Sequence, residues 1–243
     1  GDNVRNAFER MQSFRELGNP KVGMQTSKNG HYLRFWWEIR FNEVGESAFS
    51  AAPKWIAYLK GGPFRRWYGN LEYLLRYNHN ADYILAQPNA TVLPLSRLSD
   101  PKCSWTDLTS GPFNCRLAPN RSFHDIAGHC FYPSKNEQYF LLGVANSKPF
   151  DFLLSLVNAT FHFQVGDVGK IPVPEVHKDT IRLNTEKMVS LSKVEWDSRE
   201  TSWDFGLHSW AELNSKFQKL SDSWTFFSKD RSEAVCHTRE MEE

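Results

Sequence analysis

The stretch Lys60-Gly-Gly-Pro-Phe-Arg-Arg-Trp-Tyr-Gly-Asn70 separates two segments with strand character. Residues 54–59 form an apolar run that leads into the glycine pair, and residues 71–78 alternate weakly on the far side. Such runs on either side of glycine and proline predict strands joined by a turn. We therefore expect a strand, a long glycine-rich turn and a second strand in this part of the chain.

The same stretch carries three cations, three aromatic rings and three glycines. Glycines let the main chain approach a ligand closely, arginines bind phosphate oxygens or a guanine edge, and aromatic rings stack on bases. The composition therefore suits a phosphate backbone with unstacked bases. A structural alternative stays open, because arginines beside aromatic residues in a turn also form cation–π contacts within ordinary cores.

The rest of the chain predicts an α+β fold of mixed small sheets with packed helices. Helical spacing occurs at residues 3–17, which Gly18-Asn-Pro20 ends, and at 137–157, where Pro149 is expected to begin a second helix. Residues 31–39 fit either a strand or a short helix. The other expected elements are strands and loops at 90–116, a strand with a turn at Ala127-Gly128 within 123–132, an extended run at 160–174, and helices at 176–194 and 210–220.

Composition indicates a folded chain. Its 243 residues are 40% hydrophobic and 14% aromatic, whereas disordered chains are poor in aromatic rings. No apolar run approaches the length of a membrane span and no signal peptide is visible, so we expect a soluble, cytoplasmic protein without a membrane partner. Four cysteines without C-x-x-C spacing fit a reducing compartment.

The near-neutral net charge hides an asymmetry. Residues 1–80 carry twelve Lys/Arg against seven Asp/Glu, whereas residues 186–243 carry eight against twelve. This distribution favours a basic N-terminal face that meets a polyanion and an acidic C-terminal face that meets solvent or protein.

Residues 60–73 resemble the KGG-x-FRKWYGN-x-EY signature of the BREX phage-defence adenine-specific DNA methyltransferases, the PglX family. Four further segments resemble blocks of that family in the same order. They are GMQTSKNG at 23–30 with RFWWE at 34–38, FHDIAGH at 123–129, LLGVANSK at 141–148 with FHFQVGDVGKIPV at 161–173, and EWDSRETSWDF at 195–205. Ser27 stands where the family has glycine, and residues 82–103 match no block.

The resemblance implies a fold similar to the target-recognition domain of Taq-like methyltransferases and type I restriction specificity subunits, followed by a helical segment. We expect residues 1–175 to form this domain, 176–231 a helical connector or docking segment, and 232–243 a mobile tail. The implied function is target recognition on double-stranded DNA for a site-specific N6-adenine methyltransferase. Other implied partners are the methyltransferase domain of the same protein and other BREX components or a phage inhibitor.

The motifs for methyl transfer are missing from this sequence. Adenine methyltransferases need an Asn/Asp-Pro-Pro-Tyr/Phe loop that holds the flipped base, and the only Asn-Pro in the chain is Asn19-Pro20, followed by Lys21. A glycine-rich turn for S-adenosylmethionine is also missing, because no G-x-G occurs. Since the chain also begins at Gly1, we expect a non-catalytic fragment without a cofactor of its own, from an intact enzyme that uses S-adenosylmethionine.

The candidate DNA contacts combine cations with polar and aromatic groups. They are Lys28, Arg34, Lys60, Arg65 and Arg66 for phosphates, and Gln25, Asn29, Trp67, Tyr68 and Asn70 for bases or sugars. Phosphate contacts are expected to set register and salt dependence, while a few base contacts provide discrimination.

Other chemistry receives less support from the sequence. Three cysteines and two histidines between residues 103 and 130 lack the spacing of known zinc sites. His124 and Asp125 would point to opposite faces of a strand, which argues against a general base with its orienting carboxylate. The acidic, ring-bearing segment 195–205 favours packing against another domain over metal binding.

Two rival functions are open. The chain could be a protein-interaction module that docks other defence components or a phage inhibitor. It could also belong to a restriction-type enzyme with its own nuclease, although no E-x-K or D-x-K motif lies on a plausible strand.

Overall fold

The computed structural model describes residues 2–44, 54–78, 81–206, 210, 216, 217 and 219–242. These residues form an α+β fold with two four-stranded sheets and several helices, which confirms the expected fold class. Within the described residues no single helix is long and apolar enough to cross a membrane. The helices Lys135–Ala145 and Lys148–Val157 reach that length and apolar character only when they are taken together, across a bend of 74°.

Eight short strands make up the two sheets. Sheet 1 has the order β1-β8-β5-β6 and sheet 2 the order β2-β4-β3-β7. The strands are β1 (Pro20–Lys21), β2 (Leu33–Phe35), β3 (Trp55–Leu59), β4 (Tyr73–Arg76), β5 (Cys103–Trp105), β6 (Cys115–Leu117), β7 (Ser122–His124) and β8 (Cys130–Phe131). Neighbours are antiparallel except β3 and β7, which run parallel with Tyr58 opposite Phe123.

Helices pack on the sheets and continue beyond them. They are α1 (Asp2–Arg10), α2 (Phe14–Gly18), α3 (Asn29–Tyr32), α4 (Asp82–Leu85), α5 (Gln138–Ala145), α6 (Lys148–Val157), α7 (Val165–Val168), α8 (Lys178–Asp197) and α9 (Leu220–Glu242). The two strands expected around the glycine-rich turn are confirmed as β3 and β4, with Ile56 opposite Leu75. The helix expected at 176–194 is confirmed as α8, and Pro149 lies in the first turn of α6 as predicted.

Two expectations for local structure need correction, and the alternatives left open at residues 31–39 are both present. The helix expected at 3–17 is two helices, because Val173 donates its N–H to Gln12 O over 2.9 Å and holds the intervening residues extended. Residues 31–39 combine the end of α3, β2 and a 3₁₀ turn at Trp36–Glu38. The run expected to be extended at 160–174 contains α7.

Two further expectations concern connections. The strand expected at 123–132 is divided between the sheets, with β7 in sheet 2 and β8 in sheet 1. The helix expected at 210–220 falls mostly outside the described residues. Residues 232–242 lie in α9, and the mobility expected of the segment 232–243 stays a prediction.

The main hydrophobic core lies between sheet 1 and helices α5, α6 and α8. Trp105 and Phe131 from the sheet pack there with Phe150 from α6 and Met188 and Val189 from α8. Met188 and Val189 are 2% and 6% exposed, so α8 is part of this core. The domain boundary expected at residue 175 therefore passes through one continuous core, and the division itself stays a prediction.

A matched pair of glycine substitutions tests how the 23–30 segment is seated. A Cβ on Gly23 would lie 2.2 Å from Asp125 O, whereas a Cβ on Gly30 meets nothing within 4 Å. We expect Gly23→Ala to lower the free energy of unfolding by about 1–3 kcal/mol, because backbone atoms must move. Gly30→Ala should leave it unchanged or raise it by about 0.4–1 kcal/mol. Denaturant unfolding of both variants measures this, and equal effects would contradict the described packing.

Candidate nucleic-acid interface

The loop between β3 and β4, residues 60–72, joins the two sheets; we call it the arginine loop. Its Trp67 N–H donates to Cys115 O over 2.9 Å, and Leu117 N–H donates to Trp67 O over 2.8 Å. The loop therefore lies along β6 of sheet 1 while its ends belong to sheet 2. This double attachment fixes its backbone without a regular strand.

Glycines allow the sharp turns of the arginine loop, as the sequence predicted. Gly61, Gly62 and Gly69 have φ of +85°, +98° and +120°. L residues with side chains rarely adopt these conformations. A Cβ on Gly61 would also lie 2.5 Å from Ala127 O, so the loop backbone approaches the turn after β7 closely.

Two predicted base or sugar contacts, Trp67 and Asn70, lie inside the protein. Trp67 is 8% exposed and packs in the main core. Asn70 is 5% exposed, and its amide donates to Gly61 O over 3.0 Å and Pro63 O over 2.9 Å. Such side chains have little surface to offer a base, so both residues support the shape of the loop.

Arg65 holds the arginine loop against α8. Its Nε donates to Tyr68 O over 2.6 Å, and Nη2 donates to Ser192 O over 3.3 Å and pairs with Glu195. The guanidinium also stacks over the Trp196 ring, 4.9 Å from its centroid. With 13% of its side chain exposed, Arg65 forms the cation–π corner that the sequence left open.

Glu195 and the residues after it complete this junction. Burial would raise the pKa of Glu195, but hydrogen bonds from Arg65 and Arg199 hold that pKa below its ordinary value. Trp196 is 2% exposed, and Trp203 Nε1 donates to Leu71 O over 2.6 Å. Trp196 and Trp203 of segment 195–205 thus pack on the arginine loop of this same chain, and packing against another domain stays a prediction.

Arg66 and Phe64 lie on the outer side of the loop. Phe64 is 51% exposed and Arg66 is partly exposed, with its guanidinium 5.5 Å from the centre of the Phe64 ring. Phe64 is one of the three rings of the stretch but is not among the DNA contacts predicted from the sequence. Its exposure depends on which loop side chains turn inward, and neither composition nor spacing reveals that.

Tyr68 is partly buried between the loop and α8. Burial raises the pKa of its hydroxyl, and the Lys193 ammonium lies 5.2 Å from the centre of its ring. Lys193 in turn bonds to Asp197 over 2.5 Å and to Asp204 over 2.6 Å. Tyr68 therefore retains only part of its surface for a ligand.

Lys60 lies at the start of the loop, beside the end of β7. Its Nζ is 3.0 Å from Asp125 Oδ2, which also accepts a 2.8 Å hydrogen bond from the Tyr58 hydroxyl. Burial and the nearby Asp125 raise the pKa of Tyr58 well above its ordinary value. Asp125 is thus a structural acceptor, and Lys60 keeps 27% of its side chain exposed.

The candidates at residues 25–34 form a second group. Lys28 and Asn29 are exposed, and Gln25 is partly exposed. The guanidinium of Arg34 donates to Gly30 O over 2.8 Å and Leu33 O over 2.6 Å, which ties it to its own turn. The structure thus places Lys28 and Asn29 at the start of α3, Gln25 before it and Arg34 after it in β2. Arg65 and Arg66 lie beside α8.

The backbone conformation at Ser27 is one that suits glycine, the residue that the PglX family has at this position. Its φ is +60°, the left-handed conformation that favours glycine. The Ser27 hydroxyl donates to Pro88 O over 2.6 Å, which compensates for part of the conformational cost. Serine at this position thus adopts a backbone conformation that glycine would reach without such support.

The residues considered as metal ligands or as an acid–base pair are buried, either among apolar side chains or in hydrogen bonds. Cys103, Cys115 and Cys130 are fully buried, and burial raises the pKa of the Cys130 thiol to about 12. His124 contacts Gly128 O over 3.2 Å and the Tyr132 hydroxyl over 2.8 Å, away from Asp125. Within the described ranges, no group of three His, Cys, Asp or Glu residues could hold a metal ion.

Sequence comparisons connect this geometry with known proteins. The chain is 29% identical over 199 residues to adenine-specific methyltransferase PglX of Lacticaseibacillus casei (strain Zhang), across 76% of the chain and 16% of that relative. It is 29% identical over 205 residues to adenine-specific methyltransferase BrxX of Escherichia coli O9:H4 (strain HS), across 80% of the chain and 16% of that relative. The chain is similar to adenine-specific methyltransferases.

That similarity supports the BREX-type resemblance for most of the chain. The chain spans about a sixth of the length of these curated relatives, since the matches cover 16% of each. No protein-family model matches the chain.

Adjacent arginines in the loop should respond differently to truncation. We expect Arg65→Ala to lower the free energy of unfolding by roughly 1–3 kcal/mol, because it removes hydrogen bonds and an ion pair at a mostly buried site. Arg66→Ala, the matched comparison, should cost less than about 1 kcal/mol, because Arg66 is partly exposed and stacks over Phe64, which is itself 51% exposed. Denaturant unfolding of both variants measures the difference, and a larger loss for Arg66→Ala would contradict the assigned roles.

Buried His124 should make stability depend on pH. Burial lowers its pKa from 6.5 to about 3, so the unfolded chain binds a proton at pH values where the folded chain does not. Stability should therefore be full above pH 6.5 and fall as the pH decreases toward 3, by up to about 1.4 kcal/mol per pH unit from this group. Urea unfolding across this range should show a shallower dependence for His124→Gln. An unchanged slope would refute the assignment.

Proposed function

We propose that this chain recognises double-stranded DNA for a site-specific N6-adenine methyltransferase of a BREX phage-defence system. The observation that carries this proposal is the 29% identity to two adenine-specific methyltransferases over 76% and 80% of the chain. DNA is the substrate that such enzymes must hold. The geometry adds a rigid loop with a cation and an aromatic ring on its outer side.

The arginine loop supplies one proposed contact. Arg65 fixes the loop to α8, so Arg66 and Phe64 are held in place before any ligand binds. Prior ordering lowers the conformational cost of binding. A guanidinium can donate two parallel hydrogen bonds to a phosphate, and a neighbouring ring can contact sugar or base. We assign Arg66 to the phosphate backbone, with Lys60 and the exposed part of Tyr68 as further contacts.

The turn before α3 supplies the second proposed contact. Lys28 and Asn29 are exposed there, and Gln25 and Arg34 are partly exposed. Lys28 and Arg34 are assigned to phosphates, which position the protein without reading sequence. Gln25 and Asn29 are assigned to bases, because side-chain amides match the donor and acceptor pair on the major-groove edge of adenine.

Methyl transfer belongs to another part of the intact enzyme in this proposal. The intact enzyme would take its methyl group from S-adenosylmethionine. The described strands are two to five residues long, and the sequence has neither a G-x-G turn nor an Asn/Asp-Pro-Pro-Tyr/Phe loop. These residues do not fit the cofactor, so we assign no transfer step to this chain.

One observation favours the rival role of a protein-interaction module. Phe35 and Trp37 are 36% and 47% exposed and stack with ring centres 4.6 Å apart. Exposed aromatic residues are enriched at protein interfaces. Segment 195–205 gives this alternative less support, because its two tryptophans pack within the described chain.

Charge removal at Arg66 separates the two functions. We expect Arg66→Gln to weaken duplex binding in fluorescence anisotropy and to reduce the slope of log affinity against log salt by about 1, because one phosphate contact is lost. Arg10→Gln, an exposed charge change on α1, is the control and should leave both quantities unchanged. Unaltered binding by Arg66→Gln would remove the loop from the interface. Absence of any duplex binding by the chain would favour the protein-interaction role.

A further inference from the structure

A groove runs between the arginine loop, α8 and α9. Its cavity volume is about 420 Å³. The loop contributes Phe64 and Arg66, α8 contributes Val194, and α9 contributes Arg231, Val235 and Arg239. Three separate parts of the chain therefore build one concave surface beside the proposed DNA contact.

The groove is strongly cationic although the C-terminal part of the chain is acidic. Four arginines line it, and Glu195 is the one acid among its described lining residues. Glu195 pairs with Arg65 and Arg199, so its charge is already compensated. Among the described lining residues, the arginines therefore outnumber the one acid by four to one.

The helical repeat explains how an acidic helix provides two of these arginines. Positions 231, 235 and 239 recur every four residues and share one face of α9. Asp222, Lys229 and Glu233 fall on the opposite face at 100° per residue, where Lys229 and Glu233 form an exposed ion pair 3.8 Å long. Over residues 231–239 this face of α9 is therefore basic, although the net charge of residues 186–243 is negative.

Apolar surface accompanies the arginines. Val194 is 69% exposed, Val235 is 68% exposed and Phe64 is 51% exposed. A nucleotide presents the same combination, with an anionic phosphate beside the carbon atoms of the sugar and the face of a base. The charge and the apolar walls match a nucleic-acid strand better than an acidic peptide, which lacks a planar ring at each unit.

We propose that this groove binds the sugar–phosphate backbone of a DNA strand, with Arg231 and Arg239 on phosphates and Phe64 against sugar or base. The inference rests on the proposed DNA-recognition function and extends it to α9. The last helix thereby becomes a second wall of the DNA site, where the sequence alone had assigned the acidic C-terminal part to solvent or protein.

Arg231→Gln/Arg239→Gln in the 243-residue chain is the test variant, and Lys229→Gln on the opposite face is the matched control. Glutamine keeps helix propensity close to that of arginine, and circular dichroism with thermal unfolding checks that both variants fold. Duplex affinity is measured by fluorescence anisotropy between about 50 and 200 mM salt. The double variant should bind at least about tenfold more weakly and with a salt slope lower by roughly 2, because two phosphate contacts are lost.

Three outcomes are distinguishable. Weaker binding by the double variant with unchanged binding by Lys229→Gln supports the groove. Unchanged binding by the double variant, while Arg66→Gln still weakens it, overturns the groove and leaves the proposed function standing. Failure of the unaltered chain to bind duplex at low salt overturns both. If the double variant unfolds, the exposed Arg239→Gln replaces it, with an expected slope change of about 1.

Discussion

The contact of Arg65 with α8 is the constraint on which the candidate site depends. One guanidinium bonds to Tyr68 O and Ser192 O, pairs with Glu195 and stacks on Trp196. Hydrogen bonds that involve a charged group are stronger than neutral ones, and their loss at a mostly buried site is costly. This contact fastens a loop without regular secondary structure to the longest helix of the main core. Arg66, the next residue, is consequently held in a fixed position.

Inner and outer residues of the loop thus have separate tasks. Asn70, Trp67 and the glycines shape the backbone, and Arg65 anchors it. Phe64 and Arg66 remain on the outer side, beside the groove that α9 closes. A binding surface held by residues that do not themselves touch the ligand loses little entropy when the ligand arrives. Because the inner and outer residues differ in this way, one short stretch can pack against α8 and still offer the outer surface that the proposed function requires.

Much of the fold could be predicted from the sequence, because local residue patterns determine it. The two strands around the glycine turn, the positive φ of the glycines, the start of α6 and the position of α8 follow from spacing and from glycine and proline. The break between α1 and α2 could not be predicted from such patterns, since it depends on a hydrogen bond from Val173 N–H to Gln12 O. Arg65 and Arg66 are identical in type and adjacent, and the contacts that make Arg65 the anchor come from α8, which includes Glu195, 130 residues beyond Arg65. The basic face of α9 was hidden because net charge averages over opposite faces.

Hydrogen–deuterium exchange of the chain, with and without duplex DNA, tests the central claim most directly, because it maps the contact surface without any substitution. The account predicts slower amide exchange on DNA addition in peptides covering residues 62–66 and 231–239, with the effect lost at high salt, and no change in α1. Protection confined to other faces, with both of these segments unaffected, would contradict it.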